Sequence, residues 1–354
     1  GGRALVIAPS STAPILGNET AYPNLARTIT GDDHLVRALA QLCAVLQWDR
    51  VAVLHDDSVW GAGGAAAFLD AFQGNVLPGS VVGFNLSAFD AGAVHARELL
   101  ANLSATEPRV VFIATQSRVQ RALYAWAYDT STLYGYGHGW ITLLPSEGAL
   151  YNDDDSINIS AARGAEGVIG LRSAEPSDAY EAQKMVDLWR QASSSDCDAG
   201  LAYCDADGDP TTWPEYAPSV VDAVLLYAHA MDALRRTAPS SMGDPDALYA
   251  AMLNLSAFEG MSGPVHLGPD GDRLGQLALV NLKTCIAGKE GLQSCGRRRR
   301  LASYVSLENT VMAFVEVGMY DANSNDLTVR TLAISPRCPP DSHRSALVRR
   351  CRPM

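Results

Sequence analysis

The feature that most constrains the fold is an alternation of strand and helix patterns between residues 51 and 171. Residues 51–54 form a continuous apolar run, which is typical of a strand buried on both faces of a parallel sheet. Further strand patterns lie at residues 81–86, 109–114, 139–144 and 164–171, and helical patterns lie at residues 65–72, 91–103 and 117–128. The alternation predicts a parallel sheet with helices on both faces and right-handed crossovers.

An amphipathic helix precedes the first of these strands. Its apolar residues fall on one face at helical spacing: Leu35, Val36, Leu39, Leu42, Cys43 and Leu46. We interpret Cys43 as a buried core thiol, with a reactive thiol as the alternative.

The pattern changes after residue 176. A helix is predicted around residues 182–189, a long helix at residues 219–234 and a shorter one at residues 246–255. The side chains predicted to face inward on the long helix are Val221, Val224, Leu225, Ala228 and Met231. Residues 264–267 and 276–282 flank the sequence GPDGDR, which predicts a hairpin turn. A last strand is predicted at residues 311–319.

Four separated motifs carry a family resemblance. They are YPxxxRTxxxD followed by QW and DDSVWG, the helix YAPSVVDAVLLYAHAMDAL, the hairpin FEGMSGPVHLGPDGDR, and VEVGMYD with Leu327 beyond it. Together they resemble the receptor-family ligand-binding region, also called the ANF receptor family, over roughly residues 4–327. This family includes the ectodomains of natriuretic-peptide, metabotropic glutamate and GABA type B receptors, and the motifs are most similar to the last two.

The resemblance implies an α/β, bilobed fold of the type I periplasmic-binding-protein kind, with two doubly wound parallel sheets joined by a hinge. The hinge is then expected near residues 47–50. Lobe 1 would hold residues 1–49 and 173–258, and lobe 2 would hold residues 50–172 and 259–327, with an exposed tail at residues 328–354. The family's first strands and helices are absent, so we expect an N-terminally truncated region whose first helix has an incomplete sheet to pack on.

Composition limits the classes of function. The formal net charge of −12 argues against a nucleic-acid surface, because such a surface needs basic residues to neutralise phosphates. We find no run of about 20 apolar residues that would span a membrane. The chain begins inside a strand-like run, so we expect it to be a piece of a longer protein.

Sequons and cysteines indicate an extracellular domain. Five N-x-S/T sequons are predicted glycosylation sites, at Asn18, Asn85, Asn102, Asn158 and Asn254. Six of the seven cysteines form three close pairs in loop-like sequence, Cys197 with Cys204, Cys285 with Cys295, and Cys338 with Cys351. We expect disulfides among them and leave the connectivity open, with seven reduced cytosolic cysteines as the alternative.

Candidate ligand residues lie where predicted strands end. Ser10, Ser11 and Thr12 follow the first strand and offer hydroxyl and backbone donors to a carboxylate or another small anion. The resemblance implies that this loop contacts a ligand carboxylate, and that Thr115 and Gln116 face the same cleft from the other lobe. The alternatives are an ordinary small-residue turn at residues 10–12 and helix capping by Ser117 after the strand at residues 109–114.

Trp60 and Glu259 each have a ligand-binding interpretation and a structural one. Trp60 follows the acidic loop, where it either stacks on a ligand or packs under the loop. Glu259 matches a position where the GABA type B family carries a glutamate that meets a ligand amine, and a solvated turn carboxylate is the alternative.

Other motifs give no support for catalysis. Asp205, Asp207 and Asp209 have calcium-loop spacing, but Pro210 replaces the required glycine and no bidentate glutamate follows. Residues 61–64 lack the full dinucleotide-loop spacing, and no serine-hydrolase, zinc-protease or P-loop pattern is present. We therefore expect no enzyme activity, metal or cofactor.

The sequence predicts the extracellular ligand-sensing region of a membrane receptor. It would bind an amino acid or related anion between its lobes, signal by lobe closure, and form a homodimer through lobe 1, as the resemblance implies. Nucleic acid is not expected as a partner, and a membrane only through a segment outside this chain. The alternatives are a soluble solute-binding protein of a transporter, a small-molecule α/β enzyme and a ligand-free dimerisation scaffold.

Overall fold

The structure is a computed structural model that describes residues 4–89, 93–135, 137–173, 183–185, 187–188, 191, 216–288, 291–292, 304–307 and 310–329. Its helices are α1 (Asp32–Val45), α2 (Val59–Ala71), α3 (Ala93–Ser104), α4 (Ser117–Thr130), α5 (Ile159–Ala165), α6 (Ala217–Thr237) and α7 (Pro245–Leu253). Its strands are β1 (Val6–Ala8), β2 (Leu25–Arg27), β3 (Val51–Asp56), β4 (Val81–Phe84), β5 (Val110–Ala114), β6 (Gly139–Thr142), β7 (Ile169–Ser173), β8 (Phe258–Gly260), β9 (Gly263–Val265), β10 (Gln276–Gly288), β11 (Gly291–Leu292), β12 (Tyr304–Leu307), β13 (Thr310–Asp321) and β14 (Asp326–Val329).

The chain divides into two compact units. Unit 1 comprises Gly1–Gly31 and Ser173–Gln276, and unit 2 comprises Asp32–Arg172 and Leu277–Met354. The chain therefore changes unit after residues 31, 172 and 276, whereas the sequence predicted changes after residues 49, 172 and 258. The first and third positions differ because α1 belongs to unit 2 and the hairpin around residues 259–276 belongs to unit 1.

Unit 2 is built on a large mixed sheet with the strand order β12-β13-β10-β7-β6-β5-β3-β4. The pairs β3–β4, β3–β5, β5–β6 and β6–β7 are all parallel. Alternate residues of β3 and β5 enter two separate cores: Ala52, Leu54, Val111 and Ile113 pack with α3, α4 and α5, whereas Val51, Val53, Val110 and Phe112 pack with α1 and α2. The predicted α/β sheet with both faces covered is confirmed.

Helix α1 packs within unit 2 and does not lie across a hinge. Leu35, Leu39 and Leu42 share one core with Val53 of β3 and Phe68 of α2. The hinge predicted near residues 47–50 is therefore corrected, because those residues connect two elements of the same core. The apolar face that was expected to lack a complete sheet is buried against β3 and α2.

Unit 1 has a smaller sheet in its described part. Strands β1 and β2 pair in parallel, with Val6 opposite Leu25, and β2 continues through a parallel bridge between Arg27 and Asp272. Its core combines α6, α7 and β2 through Leu226, Ala230, Leu234, Leu248, Met252 and Ala26. A doubly wound sheet, as predicted for both lobes, is present in unit 2, whereas the described residues of unit 1 form only this short ladder and the β8–β9 hairpin.

The GPDGDR segment forms a tight turn, as the sequence predicted. An antiparallel bridge joins Leu267 to Arg273, and Gly268 N donates to Asp272 O at 2.7 Å. The strand that follows, β10, joins the sheet of unit 2. The turn is therefore closed by one bridge and does not join two long strands.

The inward face of α6 differs from the prediction. Val224 is 65% exposed, whereas Asp222 is fully buried together with Leu226 and Ala230. The apolar pattern alone placed Val224 and Ala228 inside. The face of α6 that contains Asp222 is buried because the Asp222 carboxylate forms hydrogen bonds and an ion pair there. The buried face therefore differs from the one that the apolar spacing indicated.

Candidate functional site

The carboxyl ends of β3 and β5 form the switch point of the unit 2 sheet. From β3 the chain moves to β4 on one side, and later returns to place β5 on the other side. Ligands of open α/β sheets bind in the crevice outside the carboxyl ends of strands at such a point. The predicted residues Thr115 and Gln116 follow β5 at this position.

A buried carboxylate ties the two strand ends together. Asp56 Oδ2 accepts a hydrogen bond from Thr115 Oγ1 at 2.8 Å, and Asp56 Oδ1 accepts from Ser58 N at 3.0 Å and from Ser58 Oγ. Asp56 and Thr115 are both completely buried. Thr115 therefore positions the end of β5 through Asp56, and its hydroxyl is already used within the protein.

The amino ends of α2 and α4 lie at this same edge. Ser58 caps α2 by accepting a hydrogen bond from Gly61 N at 2.9 Å, whereas Gln116 precedes α4 without a side-chain cap. A methyl group on Gly61 would lie 2.3 Å from Asp56 Oδ1 and 2.9 Å from Ala114 O, so only glycine allows α2 to approach this closely. First-turn N–H groups and the helix dipole favour an anion at such ends.

Gln116 and Trp60 have different surroundings at this edge. Gln116 is exposed, so its amide is accessible to a ligand. Trp60 is half-buried and packs against the core formed by α1, α2 and β3, which agrees with the packing alternative. Gln116 is therefore the better placed of the two for ligand contact.

The predicted hydroxyl loop of unit 1 is exposed and anchored at its end. Ser10 and Ser11 are exposed, and Thr12 is half-buried. The loop follows β1 and ends at Ala13, whose carbonyl accepts a hydrogen bond from Arg27 Nη1 at 3.1 Å. The hydroxyls are thus presented by a loop whose position depends on a buried guanidinium.

Arg27 is held by a bidentate ion pair. Its Nε and Nη2 atoms donate to the two carboxylate oxygens of Asp272, and the side chains are 0% and 4% exposed. Gly271, at φ 79°, lets its own carbonyl reach Arg27 N at 2.9 Å. A bidentate pair fixes orientation as well as charge, so Asp272 sets the position of Arg27 and through it the loop.

A second buried ion pair braces α6 against the β8–β9 hairpin. Asp222 accepts hydrogen bonds from Met261 N at 2.5 Å, from Ser262 N at 3.2 Å, from Ser262 Oγ, and from Arg273 Nη1 at 3.2 Å. Arg273 also donates to Thr28 O at 3.1 Å. These contacts indicate a structural role for Asp222 within unit 1.

Burial lowers the pKa of Arg273, while Asp222 and Glu259 oppose that shift by their charge. Glu259 lies on β8 with its side chain exposed and within electrostatic range of Arg273. The candidate amine-binding carboxylate is therefore already close to a cation of its own unit.

Several features named from the sequence lie outside the described residues. One is the loop with Asp205, Asp207 and Asp209, which was not expected to bind calcium. The others are the predicted cysteine pairs Cys197–Cys204, Cys285–Cys295 and Cys338–Cys351, of which only the backbone of Cys285 is described. Within the described ranges, no cluster of histidine, cysteine or acidic residues could hold a metal ion. Cys43 is buried, as predicted, and burial raises the pKa of its thiol to about 12.

The sequons occupy different settings. Asn18, Asn85, Asn102 and Asn254 are exposed. Asn158 is half-buried and caps α5, because its Oδ1 accepts a hydrogen bond from Ala161 N at 2.8 Å. Glycosylation at all five asparagines stays a prediction.

Comparison with known proteins identifies the family. The family described as the receptor family ligand binding region matches residues 3–284. This match covers well over half of the chain, so the chain belongs to that ligand-binding family, whose fold is of the periplasmic-binding-protein kind. A search among curated proteins found no match. In the described part of the chain no helix combines the length and apolarity needed to cross a membrane.

Sequence reasoning missed the residues that hold the candidate loops. Asp56, Arg27, Asp272 and Arg273 all lie in the motifs that carried the family resemblance, yet none was assigned a role. A charged residue inside an otherwise apolar or turn-forming motif was the available signal, because a buried charge needs a partner.

Proposed function

We propose that this receptor-family region senses a small ligand that carries a carboxylate, such as an amino acid. The observation that carries the proposal is the switch point of unit 2, where two helix amino ends and the exposed Gln116 amide meet the ends of β3 and β5. These groups donate hydrogen bonds and favour negative charge. The exposed hydroxyls of Ser10 and Ser11 offer the same chemistry in unit 1.

The proposal concerns binding and signalling and does not include catalysis. The buried carboxylate of Asp56 accepts hydrogen bonds from hydroxyl and backbone donors of the protein, so it serves to shape the edge of the sheet. The family resemblance supports placing this region on the extracellular side of a membrane, as part of a longer receptor that signals when its lobes close. Closure requires that the ligand bind the closed state more tightly than the open one.

Calorimetric titration with a panel of amino acids tests the proposal. The expected result is saturable binding of at least one amino acid, weakened about tenfold by Gln116→Ala and by Ser11→Ala, since each loses one hydrogen bond to a charged group. Gln73→Ala and Ser240→Ala are matched controls, because both residues are exposed and lie away from the candidate loops. Equal weakening by a variant and its control would contradict the assignment of the site.

A second candidate function is homodimerisation through α6. Val220, Val224 and Tyr227 form an exposed apolar stripe along this helix, with 47%, 65% and 42% of each residue exposed. Residues spaced by three and four positions share one helical face, so the stripe is continuous and suits the same face of a second copy. Sedimentation of the wild type and of Val224→Asp tests this, and a monomer at all concentrations would rule it out.

A further inference from the structure

A polar cavity lies at the opposite edge of the unit 2 sheet, where β3 and β5 begin. Its volume is about 440 Å³, and Arg50 and Arg109 line it. The carboxyl edge with Asp56 and Thr115 is at the other end of the same strands. The cavity is therefore separate from the candidate ligand site.

The two arginines enter the sheet side by side. Val51 of β3 is the register partner of Val110 of β5, and each arginine immediately precedes one of these residues. Neighbouring strands lie about 4.8 Å apart, so the two side chains start close together. Within the described ranges, neither guanidinium forms an ion pair or donates a hydrogen bond to another residue.

The loops around the cavity adopt uncommon backbone conformations. Seven described residues other than glycine have a positive φ, and three of them line this cavity: Glu107 at 50°, Ser131 at 55° and Leu133 at 52°. Gly137, at φ 86°, lies so close to Arg109 that a methyl group there would be 2.9 Å from Nη1. The walls are thus shaped closely around the arginines.

The charge of the lining favours an anion. Among the described lining residues, Glu107 is the single carboxylate, against two guanidinium groups, and Ser104, Ser131 and Thr132 add hydroxyls. Two adjacent like charges repel each other, and an anion between them removes that repulsion. Guanidinium groups bind the oxygens of phosphate and carboxylate with two parallel hydrogen bonds each.

We propose that this cavity binds a dianionic oxyanion of the phosphate class through Arg50 and Arg109. The anion is either a free ion or the monoester of a small molecule, since the cavity is larger than one phosphate group. The site is independent of the amino-acid site proposed above. A ligand here would stabilise unit 2 from the amino edge of its sheet.

Titration calorimetry and thermal unfolding with inorganic phosphate test the proposal, with glycerol 3-phosphate and chloride compared at equal ionic strength. We expect phosphate or its ester to bind and to raise the unfolding temperature, and chloride to do neither. Arg50→Gln and Arg109→Gln should each weaken binding about tenfold. Arg97, like Arg50 and Arg109, is exposed, but it lies on α3 outside the cavity, so Arg97→Gln should leave binding unchanged. If glycerol 3-phosphate binds more tightly than inorganic phosphate, the ligand is a phosphate monoester. If inorganic phosphate binds more tightly, the ligand is the free ion.

The ends of α3 and α4 provide the competing explanation for the arginines. Both helices end beside this cavity, and cations stabilise helix carboxyl ends. If the arginines serve only the helix ends, Arg50→Gln and Arg109→Gln will lower the unfolding temperature without phosphate and will leave the response to phosphate unchanged. That result, or equal weakening by Arg97→Gln, overturns the proposal. The proposal is supported if the two variants are as stable as the wild type, or more stable, without phosphate and if phosphate no longer raises their unfolding temperature.

Discussion

Replacing Asp222 with asparagine tests the role of the buried network in unit 1. The carboxylate is fully buried and accepts hydrogen bonds from Met261, Ser262 and Arg273, while the Arg273 side chain is only 8% exposed. Asparagine keeps the shape, but it removes the charge that compensates the guanidinium. Removing one partner of a buried ion pair costs about 3–5 kcal/mol of unfolding free energy.

Urea denaturation and hydrogen exchange measure this effect. We expect unit 1 to unfold at lower urea in Asp222→Asn. We also expect the amides of residues 261 and 262 to exchange faster, because asparagine offers one acceptor oxygen where the carboxylate offers two. Asp232→Asn is the matched control, since Asp232 lies on the same helix in exposed ion pairs with Arg235 and Arg236. Equal stability of the two variants would refute the argument that α6 is held by a buried charge.

Three further predictions concern unit 2. Because burial raises the pKa of Cys43 from 9.0 to about 12, the native protein should resist labelling by iodoacetamide at pH 8. The stability contributed by the protonated thiol should be fully present below pH 9 and should be lost between pH 9 and 12, which urea titrations at several pH values measure. Thr115→Val should cost about 1–3 kcal/mol in chemical denaturation because Asp56 loses a donor, whereas Thr115→Ser should cost less. Gly61→Ala should lower the unfolding temperature by several degrees because its methyl group collides with Asp56, whereas Gly243→Ala, with open space around it, should not.

Much of unit 2 could be predicted from local sequence. The apolar run before His55 predicted β3, and Ser117 correctly marked the start of α4. Such features are local. A strand that is buried on both faces is apolar throughout, and a helix that packs on the sheet has apolar residues every three to four positions. The position of Gln116 after a buried strand follows from the same reasoning.

The division into units could not be predicted in the same way. Helix α1 needs an apolar face whether it packs in the first unit, as predicted, or in unit 2, as observed. Hydrophobic periodicity indicates that this face is buried, but it does not indicate which element covers it. The packing of Leu39 beside Phe68 and Val53 determines that α1 belongs with β3. The apolar spacing of α6 likewise misplaced Val224, because the burial of Asp222 depends on a cation 51 positions further along the chain.

The sequence by itself determined the alternation of strands and helices, the family motifs and the acidic balance that argues against a nucleic-acid surface. The tertiary structure decided which charges face each other: Arg27 with Asp272, Arg273 with Asp222, and Arg50 beside Arg109. The physical reason is how far apart along the chain the interacting residues lie. Hydrophobic periodicity arises from neighbours within one element, whereas a buried ion pair or a shared cavity requires residues that only the folded chain brings together.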